Sequence, residues 1–168
     1  ANKADKPGAA ENIEKMKKKF PNTTIIACSG ATELALRKAA KQGAIEYYPG
    51  NPDFKPLKEF TPEQKKGLDF MKESVLAKFG STGVQEMMDE TVFKVLGYKA
   101  VFPAGANKLA DQHGNVLPDC FLLPANATAL DFAFKLHTDF GNNFIKAVDA
   151  KSKRLIAKDY VLKHRDAV

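Results

Sequence analysis

Asn2-Lys3-Ala4-Asp5 brings an amide, an ammonium on a four-carbon stem and a carboxylate into four consecutive residues. An Asp carboxylate only accepts hydrogen bonds. A guanine base offers it two parallel donors, the ring N1–H and the 2-amino group. Adenine has an acceptor at N1 and no 2-amino group, so the same carboxylate would face an unpaired lone pair. Pockets defined by such hydrogen bonds reject the wrong partner by about 10⁴. The Lys3 stem can lie along the flat face of the base, while Asn2 can bond its Hoogsteen edge and tie neighbouring loops together.

A second cluster, Cys28-Ser29-Gly30-Ala31-Thr32-Glu33, closes an apolar run and opens a helical pattern. A backbone N–H in such a turn can meet guanine O6, which separates a carbonyl from adenine's amine. Gly30 is expected to let the backbone come close, and Ser29 is placed to cap the helix or close the pocket. Together, Asn2, Lys3, Asp5, Ser29 and Gly30 form a candidate nucleotide-binding set.

The elements that must hold these residues follow from periodicity. Residues 10–20 read as a short helix ending before Pro21. Residues 23–28 (TTIIAC) are β-branched and apolar, and predict a buried strand of parallel-sheet type. The stretch TELALRKAAKQ predicts a helix packing through Leu34, Ala35, Leu36, Ala39 and Ala40, with Gly43 at its C-terminal stop. Helix, strand, turn, helix is the order of an α/β layer. Residues 47–60, with three prolines, predict a connecting segment.

Thr61-Pro62-Glu63-Gln64 predicts a capped helix start with proline at its first position. Leu68, Met71, Val75, Leu76 and Phe79 follow at helical spacing, and Gly80 ends the helix. A second helix over about Val84–Leu96 presents Val84, Met87, Met88, Val92 and Leu96, with Gly97 as its stop. The two predict an antiparallel pair. Gly80-Ser81-Thr82-Gly83 between them lacks the Lys and the preceding strand of a phosphate loop, and reads as a plain interhelical turn.

Beyond residue 98 the pattern becomes strand, strand, helix, strand, strand. Tyr98–Phe102 and Asp119–Leu123 are strand-like, separated by a loop with a turn at residues 111–115. Thr128 and Asp131 predict a capped helix that Gly141 stops. Phe144–Val148 and Arg154–Ala157 predict a hairpin with its tip at Asp149–Lys153, and Ala167-Val168 begins a last strand. A β-grasp arrangement satisfies this order. His113, His137 and His164 have no metal-ligand spacing, and His137 suits a cap or a packed imidazole. Lys151, Lys153 and Arg154 cluster at the hairpin tip and form a candidate RNA-backbone contact.

On these residues the chain resembles a family. N-K-A-D followed by S-G-A-T-E is similar to the fourth and fifth guanine motifs of translation-factor-class GTPases. The Ala133–Asp139 string A-F-K-L-H-T-D, within a longer stretch from Leu117, resembles the TGS domain, a β-grasp module. Phe79–Gln85 (F-G-S-T-G-V-Q) resembles archaeal Obg-related GTPases of the YchF and Drg branch. The resemblance implies an α/β fragment of a P-loop GTPase G domain over residues 1–46 and a linker and helical hairpin over 47–97. Residues 98–168 would be an α+β TGS domain with an incomplete last strand. It further implies GTP as ligand, Mg²⁺ in the full-length parent, and ribosome, rRNA or tRNA association. Many YchF members carry a different fourth motif and prefer ATP, so Asn2, Lys3 and Asp5 argue for guanine here.

No G-x-x-x-x-G-K-[ST] sequence is present, and the D-x-x-G matches at Asp5–Gly8 and Asp111–Gly114 read as chance. The chain is therefore expected to be a C-terminal fragment cut through structured elements, with no Mg²⁺ ligands and no GTP hydrolysis of its own. The alternative is an RNA- or ribosome-binding TGS adaptor without nucleotide-dependent activity.

Composition sets the outer limits. The 168 residues, 44% hydrophobic with 11 Gly and 9 Pro dispersed, exclude a disordered or fibrous chain. No run of 18 apolar residues suits a membrane span. The net charge of +6 comes mostly from lysine, with arginine only at 37, 154 and 165. That balance permits weak attraction to RNA and gives no bidentate base readout. Cys28 and Cys120 sit in apolar runs without CxxC spacing and read as buried, reduced thiols of a cytoplasmic protein.

Overall fold

Two capping boxes, several left-handed glycines and a polar turn set the layout of the chain. The computed structural model describes residues 1–105, 109, 110, 113–117 and 119–168. It divides into two compact units, Ala1–Glu90 and Thr91–Val168.

In the first unit, α1 (Ala9–Lys19) carries Lys17, Lys18 and Lys19 in its last turn, where cations suit the helix dipole. The β-branched run 23–28 forms no sheet ladder. Its neighbour is the segment at residues 1–4. Cys28 N–H donates to Ala1 O at 2.8 Å and Ala4 N–H to Cys28 O at 2.9 Å. Between those bonds the chain turns at Lys3, whose φ of +66° is left-handed, so no regular ladder propagates and Ile25 and Ile26 stay half-buried. A strand propensity becomes a strand only where a neighbour continues the pairing.

Helix α2 (Gly30–Lys41) starts on Ser29 and ends in a double-bonded stop: Gly43 N–H donates to Ala40 O and Ala44 N–H to Ala39 O, both at 2.9 Å. Gly43 takes φ +62° there, the Schellman arrangement. Leu36 is buried and Leu34 is exposed. Inside the expected connecting segment, β2 (Lys55–Pro56) pairs antiparallel with β1 (Ile45–Glu46). Thr61 and Gln64 form the reciprocal cap of α3 (Pro62–Met71). The helix continues through a π-helical turn, Lys72–Leu76, into α4 (Ala77–Phe79). Leu36, Ile45, Tyr47, Leu68 and Leu76 make the apolar core. Helix α5 (Val84–Asp89) runs into a π-helical stretch, Glu90–Val95. The expected apolar face there is not buried: Met87, Met88 and Leu96 are exposed.

In the second unit, β3 (Lys99–Val101) pairs antiparallel with β4 (Phe121–Leu123). The last residues run parallel beside β3, with Phe102 N–H donating to Asp166 O and Val168 N–H to Phe102 O, both at 2.9 Å. Strands β5 (Ala147–Val148) and β6 (Leu155–Ile156) form the antiparallel hairpin, with β5 starting three residues later than the sequence suggests and β6 one residue shorter at each end. Helix α6 (Ala129–Leu136) has the predicted Thr128–Asp131 capping box. It stops at His137 rather than Gly141, because His137 is extended and caps α7 (Thr138–Asn142) through Nδ1, which accepts from Asp139 N–H at 3.2 Å. Gly141 is instead packed under a ring: a Cβ there would lie 2.2 Å from Phe134 Cδ1. The core gathers Val101, Leu123, Ala127, Ala129, Phe132, Ile156 and Leu162.

Cys28 is buried and Cys120 is exposed. The expectation of two buried thiols fails at Cys120 because β4 begins one residue later and buries only its alternate positions. Asp111 and Gln112 of the expected 111–115 turn, and with them the Asp111–Gly114 match, lie outside the described residues.

Candidate functional site

The two sequence clusters meet at the N-terminus of α2. Ser29, fully buried, donates from Oγ to Asp5 Oδ1 at 2.8 Å. The same oxygen lies 2.9 Å from Thr32 Oγ1 and accepts from Thr32 N–H at 3.3 Å. Asn2 Oδ1 accepts from Gly30 N–H at 3.2 Å and from Lys3 N–H at 2.8 Å. One amide thus braces the Asn2–Asp5 loop against the Ser29–Gly30 turn and holds the left-handed backbone of Lys3.

The Asp5 side chain is 10% exposed, with Oδ2 3.3 Å from the exposed Lys6 ammonium. The Ser29 hydroxyl, more than Lys6, holds this carboxyl below its ordinary range against the opposing effect of burial. Asp5 is therefore an anion at neutral pH. A carboxylate offers about four acceptor positions, and its two partners leave room for a pair of N–H donors. Lys3 is exposed beside it.

Gly30 behaves differently from its expectation. A Cβ at this position would lie 3.7 Å from Asn2 Oδ1, an ordinary contact. Its N–H is engaged by Asn2, whereas Ala31 N–H has no acceptor among the described residues. That amide belongs to the first turn of α2, whose N–H groups point out of the helix end.

The 80–83 segment is more than an interhelical turn. Ser29 N–H donates to Thr82 O at 2.9 Å. Cys28 Sγ donates to Gly83 O at 3.3 Å, and burial pushes that thiol's pKa up. Gly83 has φ +74°, and a Cβ on it would sit 1.7 Å from Ala27 O. Glu33 Oε2 accepts from Tyr47 OH and from Thr82 Oγ1, each at 2.7 Å. Burial, then the Glu33 bond, pushes the Tyr47 phenol up to about 12, so it keeps the proton it donates. Glu33 and Thr82 fall inside motifs read from the sequence, but no role is legible there for them or for Tyr47, because the partners of Glu33 lie 14 and 49 residues away.

Lys151, Lys153 and Arg154 belong to the second unit. The Lys151 ammonium donates to Arg165 O. Lys153 is left-handed, φ +61°, with its N–H on Asp149 O at 2.7 Å. Arg154 borders a cavity of about 590 Å³ with Asp149, Asp159, Tyr160 and Lys163. Asp149, kept ionised chiefly by the Ser152 hydroxyl, sets a negative charge among these cations. Among the described residues no three His, Cys, Asp or Glu side chains gather in one place. No helix among them is long and apolar enough to cross a membrane.

Residues 1–105 match the family described as Obg-like GTPase YGR210-like, G4 motif-containing domain, and residues 101–168 match the TGS domain. An uncharacterized GTP-binding protein of Methanocaldococcus jannaschii is 41% identical over 169 residues, covering 100% of this chain and 43% of that protein. An uncharacterized GTP-binding protein of Schizosaccharomyces pombe is 31% identical over 141 residues, 76% of this chain and 34% of its own length. The crystal structure of a GTP-binding protein from Pyrococcus horikoshii superposes with a TM-score of 0.71 at 40% identity, over 99% of this chain and 43% of that one. The chain spans less than half the length of these relatives.

Proposed function

Because the chain belongs to the Obg-like GTPases of the YGR210-like kind, with a TGS domain after its G4-motif domain, we propose that Asn2, Lys3, Asp5, Ser29 and Gly30 form the guanine-reading corner of a GTP-binding protein. Asp5 accepts the base N1–H and 2-amino group. Lys3 lies along the base face. Asn2 fixes the loop to the Gly30 amide, and Ala31 N–H is the amide at this corner with an open hydrogen-bonding position for O6.

The observation that carries this reading is the 2.8 Å bond from Ser29 to Asp5. It joins two motifs 24 residues apart and leaves the carboxylate ionised with acceptor positions to spare. The test is binding of GTP and ATP by the full-length protein and by Asp5→Asn. The substitution is expected to remove most of the GTP preference; a preference left intact refutes the role of Asp5.

In this reading residues 1–46 end the G domain, 47–97 form a linker and helical hairpin, and 98–168 a β-grasp TGS domain. The whole protein would hydrolyse GTP with phosphate- and Mg²⁺-binding parts that are not among these residues. The TGS domain would engage RNA or the ribosome through the exposed tip at Lys151, Lys153 and Arg154. Removing all three is expected to flatten the salt dependence of RNA binding; an unchanged slope clears the tip of that role.

A further inference from the structure

Glu33 lies one helical turn beyond Ser29, with its side chain turned inward and the residue only 5% exposed. A buried carboxylate is costly unless hydrogen bonds replace its water, and here two hydroxyls do so on a single oxygen. The bonds around it close a ring. Glu33 N–H donates to Ser29 O at 3.0 Å, Thr82 Oγ1 donates to Glu33 Oε2 at 2.7 Å, and Ser29 N–H donates back to Thr82 O at 2.9 Å. Tyr47 OH pins the ring from outside. In a closed cycle no member shifts without breaking a bond, and each bond here is buried and correspondingly strong.

Resting on the guanine reading above, we propose that Glu33, with Thr82 and Tyr47, is a positioning residue for base selection. The ring fixes both backbone hydrogen-bonding groups of Ser29, and so fixes the direction in which the Ser29 hydroxyl holds Asp5. None of the three residues lies in the Asn2–Asp5 or Ser29–Gly30 recognition positions. They hold the carboxylate that selects the base without touching the base.

The probe pair is GDP and inosine diphosphate, which differ by the 2-amino group that Asp5 would accept, with ADP as the adenine control. In the full-length protein, Thr82→Val removes one donor at nearly constant volume. It is expected to shrink the GDP-over-inosine-diphosphate affinity ratio by about five- to tenfold, the scale of one ordinary hydrogen bond. Thr82→Ser, which keeps the hydroxyl, is expected to restore the ratio. A folded Thr82→Val protein with an unchanged ratio, or with equal losses for both nucleotides, overturns the proposal. If Thr82→Val does not fold, Tyr47→Phe makes the same test with a smaller expected drop, and an unchanged ratio there overturns it equally. A wild-type protein that binds GDP and ADP alike refutes the guanine reading itself, whereas a preference lost in Asp5→Asn and kept in Thr82→Val refutes only the role of the ring.

Discussion

The two units are built on different interiors. All five buried polar or charged residues among those described lie in the first unit: Ser29, Thr32, Glu33 and Thr82 bond to one another or to Asp5 and Tyr47, and Ser81 Oγ accepts from Gly83 N–H. The buried core of the second unit, Val101, Leu123, Ala127, Ala129, Phe132, Ile156 and Leu162, is wholly apolar. An apolar core stabilises in proportion to area and tolerates repacking. A buried polar ring contributes less stability and more direction, since its groups are satisfied in one arrangement only. On the proposed guanine reading, the contrast separates a stretch that aims a carboxylate from a stretch that holds a shape.

The largest expected effect tests the apolar side. Phe132 is 2% exposed and meets Phe121 edge-on at a centroid distance of 5.8 Å. Phe132→Ala should cost about 3–5 kcal/mol and lower the denaturation midpoint of the second unit. Backbone hydrogen exchange at Ser29 and Glu33 should stay unchanged, and faster exchange there would erase the distinction between the two interiors.

Next come two glycines of the first unit. Gly83→Ala drives a methyl group into Ala27 O at a left-handed position and should cost about 2–4 kcal/mol, as strained-backbone substitutions do. Gly30→Ala meets only ordinary contact and should stay within about 0.5 kcal/mol of the parent in stability. Calorimetry of both variants checks the pair, and equal costs would show that the 80–83 turn is not packed as described.

The smallest effect concerns acid. Asp5 and Asp131 are both held below the ordinary 3.8, Asp5 mainly by the Ser29 hydroxyl and Asp131 mainly by Thr128 N–H. A lowered carboxyl adds stability that is present above its unfolded value and lost as pH falls through its folded one. Each unit should therefore weaken on acidification below about pH 3.8. Asp131→Asn should flatten that limb in the second unit alone, as followed by pH-dependent unfolding.

What was legible in the sequence was local. Both capping boxes, at Thr61–Gln64 and Thr128–Asp131, formed as read, and Gly43, Gly80 and Gly97 take the left-handed φ expected of helix stops. A cap is a bond within four residues, so four residues reveal it. The sequence assigned both motifs to one pocket on their separate chemistry, but did not reveal the bond from Ser29 to Asp5. Distant contacts were hidden. The run 23–28 is not a strand because its neighbour turns away at Lys3, Gly141 is set by the Phe134 ring rather than by a helix end, and the 80–83 turn is decided by Ala27, Ser29 and Glu33.

The bond between Glu33 and Thr82 spans 49 residues, and that span has a cost in time during synthesis. A ribosome adding about 5–20 residues per second needs roughly 2.5–10 seconds to go from one to the other. Through that interval the nascent chain carries a complete Asn2–Asp5 segment and a Ser29 without its Thr82 partner. The ring around Ser29 closes only after the long helix of this unit has left the exit tunnel.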